Sequence, residues 1–356
     1  MSQQFKPKCR STGIGSLPFA DAAEACTMLL ESVDFPFWPQ LPHLGFCEQM
    51  VPQYAEGLPG IEIDEENRKL RFTIGDAGCD AILSFYQRYL SGDTRPFGLS
   101  QSFARGFATF CQLAGSRTWP AVKGQVTGPL TFALSVPDAS GRPAYYNFEL
   151  LDAIQKTLAR KAQWQIERLR AFASRVLIFI DEPILAGFGT SAYLNVGKDD
   201  VVRCLNEVIA AIHDSGGLAG VHCCGNTDWS VLAATDADVA SFDAYEYSRS
   251  VSLYPADIRA FLGRGGSLAW GIVPTKDGVD RQTVASLRAK LLEGFRFLEE
   301  KGFDRAQLAD SCLLTPSCGA GNLSVSEARK VFCLLKKLSE SMRKEFFPEM
   351  VESATA

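Results

Sequence analysis

The chain has 356 residues, 46% of them hydrophobic and 22% charged, and a net charge of −5. This is the composition of a soluble globular enzyme with room for a full core, built as one large α/β barrel or two ordinary domains. The acidic balance and the lack of any Lys/Arg-rich run argue against nucleic acid or an anionic membrane as partner; no apolar stretch reaches bilayer length, and the polar start Met-Ser-Gln-Gln-Phe-Lys-Pro-Lys reads as cytoplasmic, without a signal peptide.

Strand-length apolar runs alternate with amphipathic helical segments from one end to the other. A first strand is expected at 9–16, a helix at 19–32 and a second strand at 35–41. Residues 61–74 then alternate as a hairpin turning near Glu66-Asn67, and with the helical stretches after it they make an insertion at about 58–115, suited to a lid or substrate wall. Strands follow at 121–126, 176–181, 218–224, 240–245, 267–273 and 312–315, with helices at 147–173, 199–213, 283–301 and 325–338. Eight β/α units favour a single TIM (β/α)8 barrel, carrying a hairpin and helical insertion between its second and third strands. No linker or internal repeat divides the chain, so residues 1–356 are read as one domain. Eleven cysteines without a signal peptide indicate reduced thiols. Cys26, Cys111, Cys204 and Cys333 fall in helical patterns, where a free Cys is usually a small buried apolar residue, and His213 near a helix end complements the helix dipole.

Four residues carry the chemistry. His222 and Cys224 stand two apart at the end of an apolar run, so they share one face of a strand. Glu246 ends the next run, about one β/α unit later, and Cys318 follows the last. All lie just past strand ends, where barrel enzymes place their catalytic groups. Imidazole, two thiolates and a carboxylate form a donor set for one zinc ion, and the absence of paired C-x-x-C knuckles fits a catalytic better than a structural site. Taken alone, the His-x-Cys pair is equally compatible with an ordinary strand end.

Six ordered motifs sharpen this reading: Ser11-Thr12-Gly13-Ile14-Gly15-Ser16-Leu17-Pro18, Val126-Thr127-Gly128-Pro129-Leu130-Thr131, Ile180-Asp181-Glu182-Pro183, Val221-His222-Cys223-Cys224, Glu246-Tyr247-Ser248-Arg249-Ser250 and Thr315-Pro316-Ser317-Cys318-Gly319. Together they resemble the C-terminal catalytic barrel of cobalamin-independent methionine synthase, in the uroporphyrinogen decarboxylase-like superfamily of TIM barrels. The resemblance implies zinc held by His222, Cys224, Glu246 and Cys318, and methyl transfer to the thiol of homocysteine. In such a site zinc removes the thiol proton, whose free pKa is about 8.5, and aims the sulfur at the methyl group. Glu246, the most easily exchanged ligand, is expected to give way to the incoming sulfur. The resemblance also implies that Ile14, Gly15 and Ser16 bind the substrate carboxylate and Asp181 its ammonium; the other reading of Asp181 is a helix cap for the segment after Pro183. Glu48 is the best match for a second acidic contact, a solvated surface carboxylate being the alternative.

Two departures bear on the methyl donor. A second, N-terminal barrel of the full-length family has no counterpart, and Ser135 stands where the family carries a Trp on which the pterin stacks. These point to a short, core-type enzyme taking its methyl group from a methylcorrinoid, with a corrinoid carrier protein as possible partner. The alternatives are methyltetrahydrofolate as donor, or a corrinoid-dependent methyltransferase acting on another thiol such as coenzyme M. A zinc hydrolase using Asp181 as base and a non-catalytic zinc-holding barrel rank lower.

Overall fold

The computed structural model describes residues 4–73, 79–115, 117–190, 195–276 and 278–352. Its strands, in chain order, are β1 (Arg10–Ser11), β2 (Ile61–Asp64), β3 (Lys69–Phe72), β4 (Val122–Thr127), β5 (Val176–Asp181), β6 (Leu218–Cys223), β7 (Val239–Phe242), β8 (Ser267–Val273) and β9 (Cys312–Pro316). Seven of them form one curled sheet in the order β1-β9-β8-β7-β6-β5-β4, and β2 and β3 pair separately as an antiparallel hairpin. Every pairing in the larger sheet is parallel. Strands β4, β5, β7, β8 and β9 are buried at every residue, and β5 and β8 accordingly read as mostly apolar runs. Inside the curl lies a small cluster that includes Phe35, Ala121, Leu177, Phe179, Val239 and Leu313, drawn from strands all round the sheet. Phe179 is on this inner face, so Asp181, two residues on, points into the same interior at the carboxyl end.

The eighth regular strand expected at 35–41 does not form. That segment touches both edges of the sheet through isolated bridges, Ser16 with Gln40 and Phe37 with Lys123. Its sequence, Phe-Pro-Phe-Trp-Pro-Gln-Leu, supplies the reason: Pro36 and Pro39 have no N–H to give to a ladder. Hydrogen bonds still reach it from each side, Gln40 N–H to the Gly15 carbonyl at 3.0 Å and Lys123 N–H to the Pro36 carbonyl at 2.8 Å. Among the described residues the curled sheet therefore has seven strands, with an irregular segment touching its two edges. Ile74, assigned to the hairpin from sequence, lies outside the described residues.

The covering helices start where capping chemistry places them. Asp21 accepts from Ala23 N–H and Glu24 N–H to open Ala22–Ser32, and Asn147 opens Phe148–Leu169. Capping boxes at Thr283/Ser286 and Ser324/Glu327 open Val284–Glu299 and Val325–Phe346, each cap contributing about 1 kcal/mol. The last helix runs well past the expected end at 338, because buried Ser339 and Met342 carry its inward stripe on toward the barrel base. Cys26 and Cys204 are buried and Cys111 is half-buried, but Cys333 is exposed, contrary to its reading as a core residue. Among the described residues no helix is long and apolar enough to cross a membrane.

Candidate metal centre

His222 stands opposite Ser241 in the β6–β7 register, and its Nδ1 lies 2.9 Å from the Ser241 hydroxyl, which fixes the ring. Nε2 is thereby left as the free nitrogen. It is buried and meets no hydrogen bond of ordinary geometry among the described residues. Such an orphaned buried atom is costly unless a ligand completes it. What it faces is a pair of thiols: the donor atoms of His222, Cys224 and Cys318 all lie within 4.8 Å of one another. Cys318 is delivered just past the end of β9, where Ser317 N–H donates to the Val273 carbonyl at 2.8 Å. Gly319 follows because a Cβ there would come within 2.1 Å of the Ser16 hydroxyl.

The electrostatics set one thiol apart. Hydrogen bonding from Cys318, followed by the nearby His222 ring, pulls the Cys224 thiol down to about 4, while the same contact pushes Cys318 in the opposite direction. Burial pushes Cys26, Cys204 and Cys223 up to about 12, leaving them as protonated apolar groups. Two sulfurs and one imidazole in this grouping fit a zinc ion, with a coordination position left for a further ligand.

The three donors open onto a cavity of about 310 Å³, whose lining also includes Ile14, Ser16, Glu48, Asp181 and Met50. This is the small end of the range for ligand pockets and suits an amino acid. Asp181 is 4% exposed and its Oδ1 has no partner among the described residues. Burial pushes its carboxyl up to about 6, with the charges of Lys123 and His222 opposing. No side-chain cap bond opens the segment after Pro183, the role weighed for Asp181; the neighbouring Glu182 instead accepts from Leu130 N–H, Thr131 N–H and the Thr131 hydroxyl at the start of Pro129–Ser135, at 2.6 to 2.9 Å. Glu48 is 2% exposed and accepts from Arg105 N–H at 2.9 Å; burial raises its carboxyl to about 7. That burial removes the solvated-surface alternative for Glu48. At the first strand, the N–H groups of Gly15 and Ser16 meet no backbone acceptor among the described residues.

Glu246 is placed differently. The apolar run taken as a strand to residue 245 is a strand only to Phe242, since Asp243 caps a short helix, Ala244–Val251, by accepting from Glu246 N–H at 3.0 Å. Glu246 is exposed on that helix and is not part of the three-donor group. Asp243 is the carboxylate at the strand end, 2% exposed and raised to about 6 by burial, with the hydrogen bond from Glu246 N–H and the charges of Lys276 and His222 opposing. Ser241, Asp243 and Lys123 were missed in the sequence; a lone Lys inside Ala-Val-Lys-Gly-Gln-Val was the one available signal. Ser135 is exposed and edges a second cavity of about 390 Å³, shared with Phe46, Arg68 and Arg71.

The sequence matches no family model, and no curated protein matches it. The fold has solved neighbours. One is a B12-independent methionine synthase from a Shewanella species, solved in complex with selenomethionine: TM-score 0.56, 15% identity, spanning 95% of this chain and 98% of that one. Another is a putative vitamin-B12-independent methionine synthase from Listeria monocytogenes: TM-score 0.51, 13% identity, spanning 90% of this chain and 86% of that one. At these identities the likeness shows a shared fold.

Proposed function

We propose that the chain is a zinc-dependent methyltransferase that methylates the thiol of homocysteine to give methionine, from a donor that is not a corrinoid. One observation carries the reading: the buried, unpartnered Nε2 of His222 faces two cysteine sulfurs at the wall of an amino-acid-sized pocket that also holds a buried carboxylate, Asp181. His222, Cys224 and Cys318 would hold zinc, and Glu246 is proposed as a fourth, exchangeable ligand. When bound, zinc supplies Lewis acidity that keeps a substrate thiol deprotonated and nucleophilic at neutral pH.

The chain's own groups orient the substrate. Asp181 accepts the ammonium, the Gly15 and Ser16 N–H groups and the Ser16 hydroxyl take the carboxylate, and Glu48 makes the second acidic contact. Ile14, Met50 and Pro183 exclude water from the sulfur, so that its charge is not spread into solvent. The Shewanella neighbour's selenomethionine has the shape of the product, which supports an amino-acid thioether as occupant.

The expected methylcorrinoid, and with it a corrinoid carrier protein, rested on chain length and on Ser135. Length does not support it: the Shewanella neighbour, which this chain spans almost entirely, carries the name B12-independent. We therefore favour methyltetrahydrofolate. Phe46 lines the cavity beside Ser135 and is the aromatic side chain we propose for contact with a pterin in place of the missing Trp. The test is methionine formation by zinc-loaded protein with homocysteine, offering methyltetrahydrofolate and methylcobalamin in parallel. Turnover with the folate, lost on removing zinc, is expected. Turnover with methylcobalamin alone overturns the donor, and turnover with neither overturns the reaction.

A further inference from the structure

Lys123 is the second residue of β4 and 0% exposed. Its ammonium donates to the carbonyl of Ile14 and, at 3.0 Å, to Gln125 Oε1. The rings of Phe179 and Phe37 flank it, with centroids 4.7 and 5.4 Å from Nζ. The socket is built: Gln125 Nε2 donates to the Trp38 carbonyl at 3.0 Å, which turns the amide oxygen toward the lysine. A buried ammonium is expensive and persists where paired charge and acceptors offset its desolvation. Burial weakens the hold of Lys123 on its proton, with the charge of Asp181 opposing.

The carbonyl that Lys123 grips is that of Ile14, immediately before the two N–H groups assigned to the substrate carboxylate. We infer that Lys123 is a positioning residue for the carboxylate end of the substrate, holding the 14–16 turn in register through the Ile14 carbonyl. The inference rests on the thiol methyltransferase reading.

The experiment uses cobalt-substituted protein, in which a bound thiolate shows a charge-transfer band, titrated with homocysteine and with propanethiol, which lacks both the ammonium and the carboxylate. Wild type is expected to bind homocysteine the more tightly. In Lys123→Met, homocysteine affinity falls at least about tenfold toward that of propanethiol while propanethiol binding is unchanged. A variant that loses both thiols equally, or neither, overturns the assignment and leaves the thiol reading standing. If neither thiol alters the wild-type spectrum, the thiol reading fails and takes this inference with it. Should Lys123→Met fail to fold, Gln125→Met, which keeps the cation but removes its acceptor, is expected to show the same homocysteine-selective loss, and an unselective loss there counts against it.

Discussion

Replacing Ser241 with Ala is expected to weaken zinc binding without touching a ligand. The Ser241 hydroxyl lies 2.9 Å from His222 Nδ1, is itself fully buried, and is the partner that turns Nε2 toward the two sulfurs. Without it, metal binding at Nε2 leaves an N–H at Nδ1 with no acceptor in a closed site, at a cost of about 1–3 kcal/mol. Partners of metal-bound histidines elsewhere are worth about 10–100-fold in affinity, the same range. The assay is competition for zinc with a chromophoric chelator, alongside a circular-dichroism melt to show that the variant is folded. Ser241→Thr keeps the hydroxyl and should restore most of the affinity. Folded Ser241→Ala protein with wild-type zinc affinity would refute the argument that this contact orients the ligand.

Cys318→Ser and Cys224→Ser should each lose zinc retention and methyl transfer together, as metal content and methionine formation would show; a variant keeping both removes that sulfur from the donor set. Glu246→Gln, at an exposed position outside the three-donor group, should leave the melting temperature unchanged and weaken zinc binding about tenfold, the readout being the same chelator competition; unchanged affinity would end its candidacy as fourth ligand. Lys161, fully buried in Phe148–Leu169, is pushed by burial from its ordinary 10.5 down to about 8. The folded chain therefore holds this proton less tightly than the unfolded one, so the penalty is complete below about pH 8 and relieved as pH rises toward 10.5. It amounts to about 3 kcal/mol at neutral pH. Lys161→Met should melt higher than wild type at pH 7, with the gap closing between pH 8 and 10.5 in thermal melts; a gap independent of pH would contradict it.

Sequence pattern revealed the strands because parallel strands buried on both faces must be apolar throughout, as β5 and β8 are. The His222–Cys224 pairing followed from the two-residue repeat of a strand. Failures have physical causes as well. Residues 35–41 look like a strand by hydrophobicity, but Pro36 and Pro39 deny the ladder its donors. Asp243 to Tyr245 continue an apolar run, yet Asp243 caps a helix there and carries Glu246 away from the strand end. Ser241 could not be found without knowing that β6 and β7 pair His222 with it, because register between strands is a property of the sheet and not of either strand. Cys333 reads as core by helical spacing, but it lies on the solvent side of a helix whose buried stripe runs through Val331, Phe332 and Leu335.

The central claim is a zinc ion, held by one imidazole and two cysteine sulfurs, that takes the substrate thiol. X-ray absorption at the zinc edge, recorded with and without homocysteine, tests it directly. The account predicts a shell with two sulfurs, from Cys224 and Cys318, that gains a third when homocysteine is added. A shell whose sulfur count does not change on adding homocysteine, or one without two protein sulfurs at the start, would contradict it.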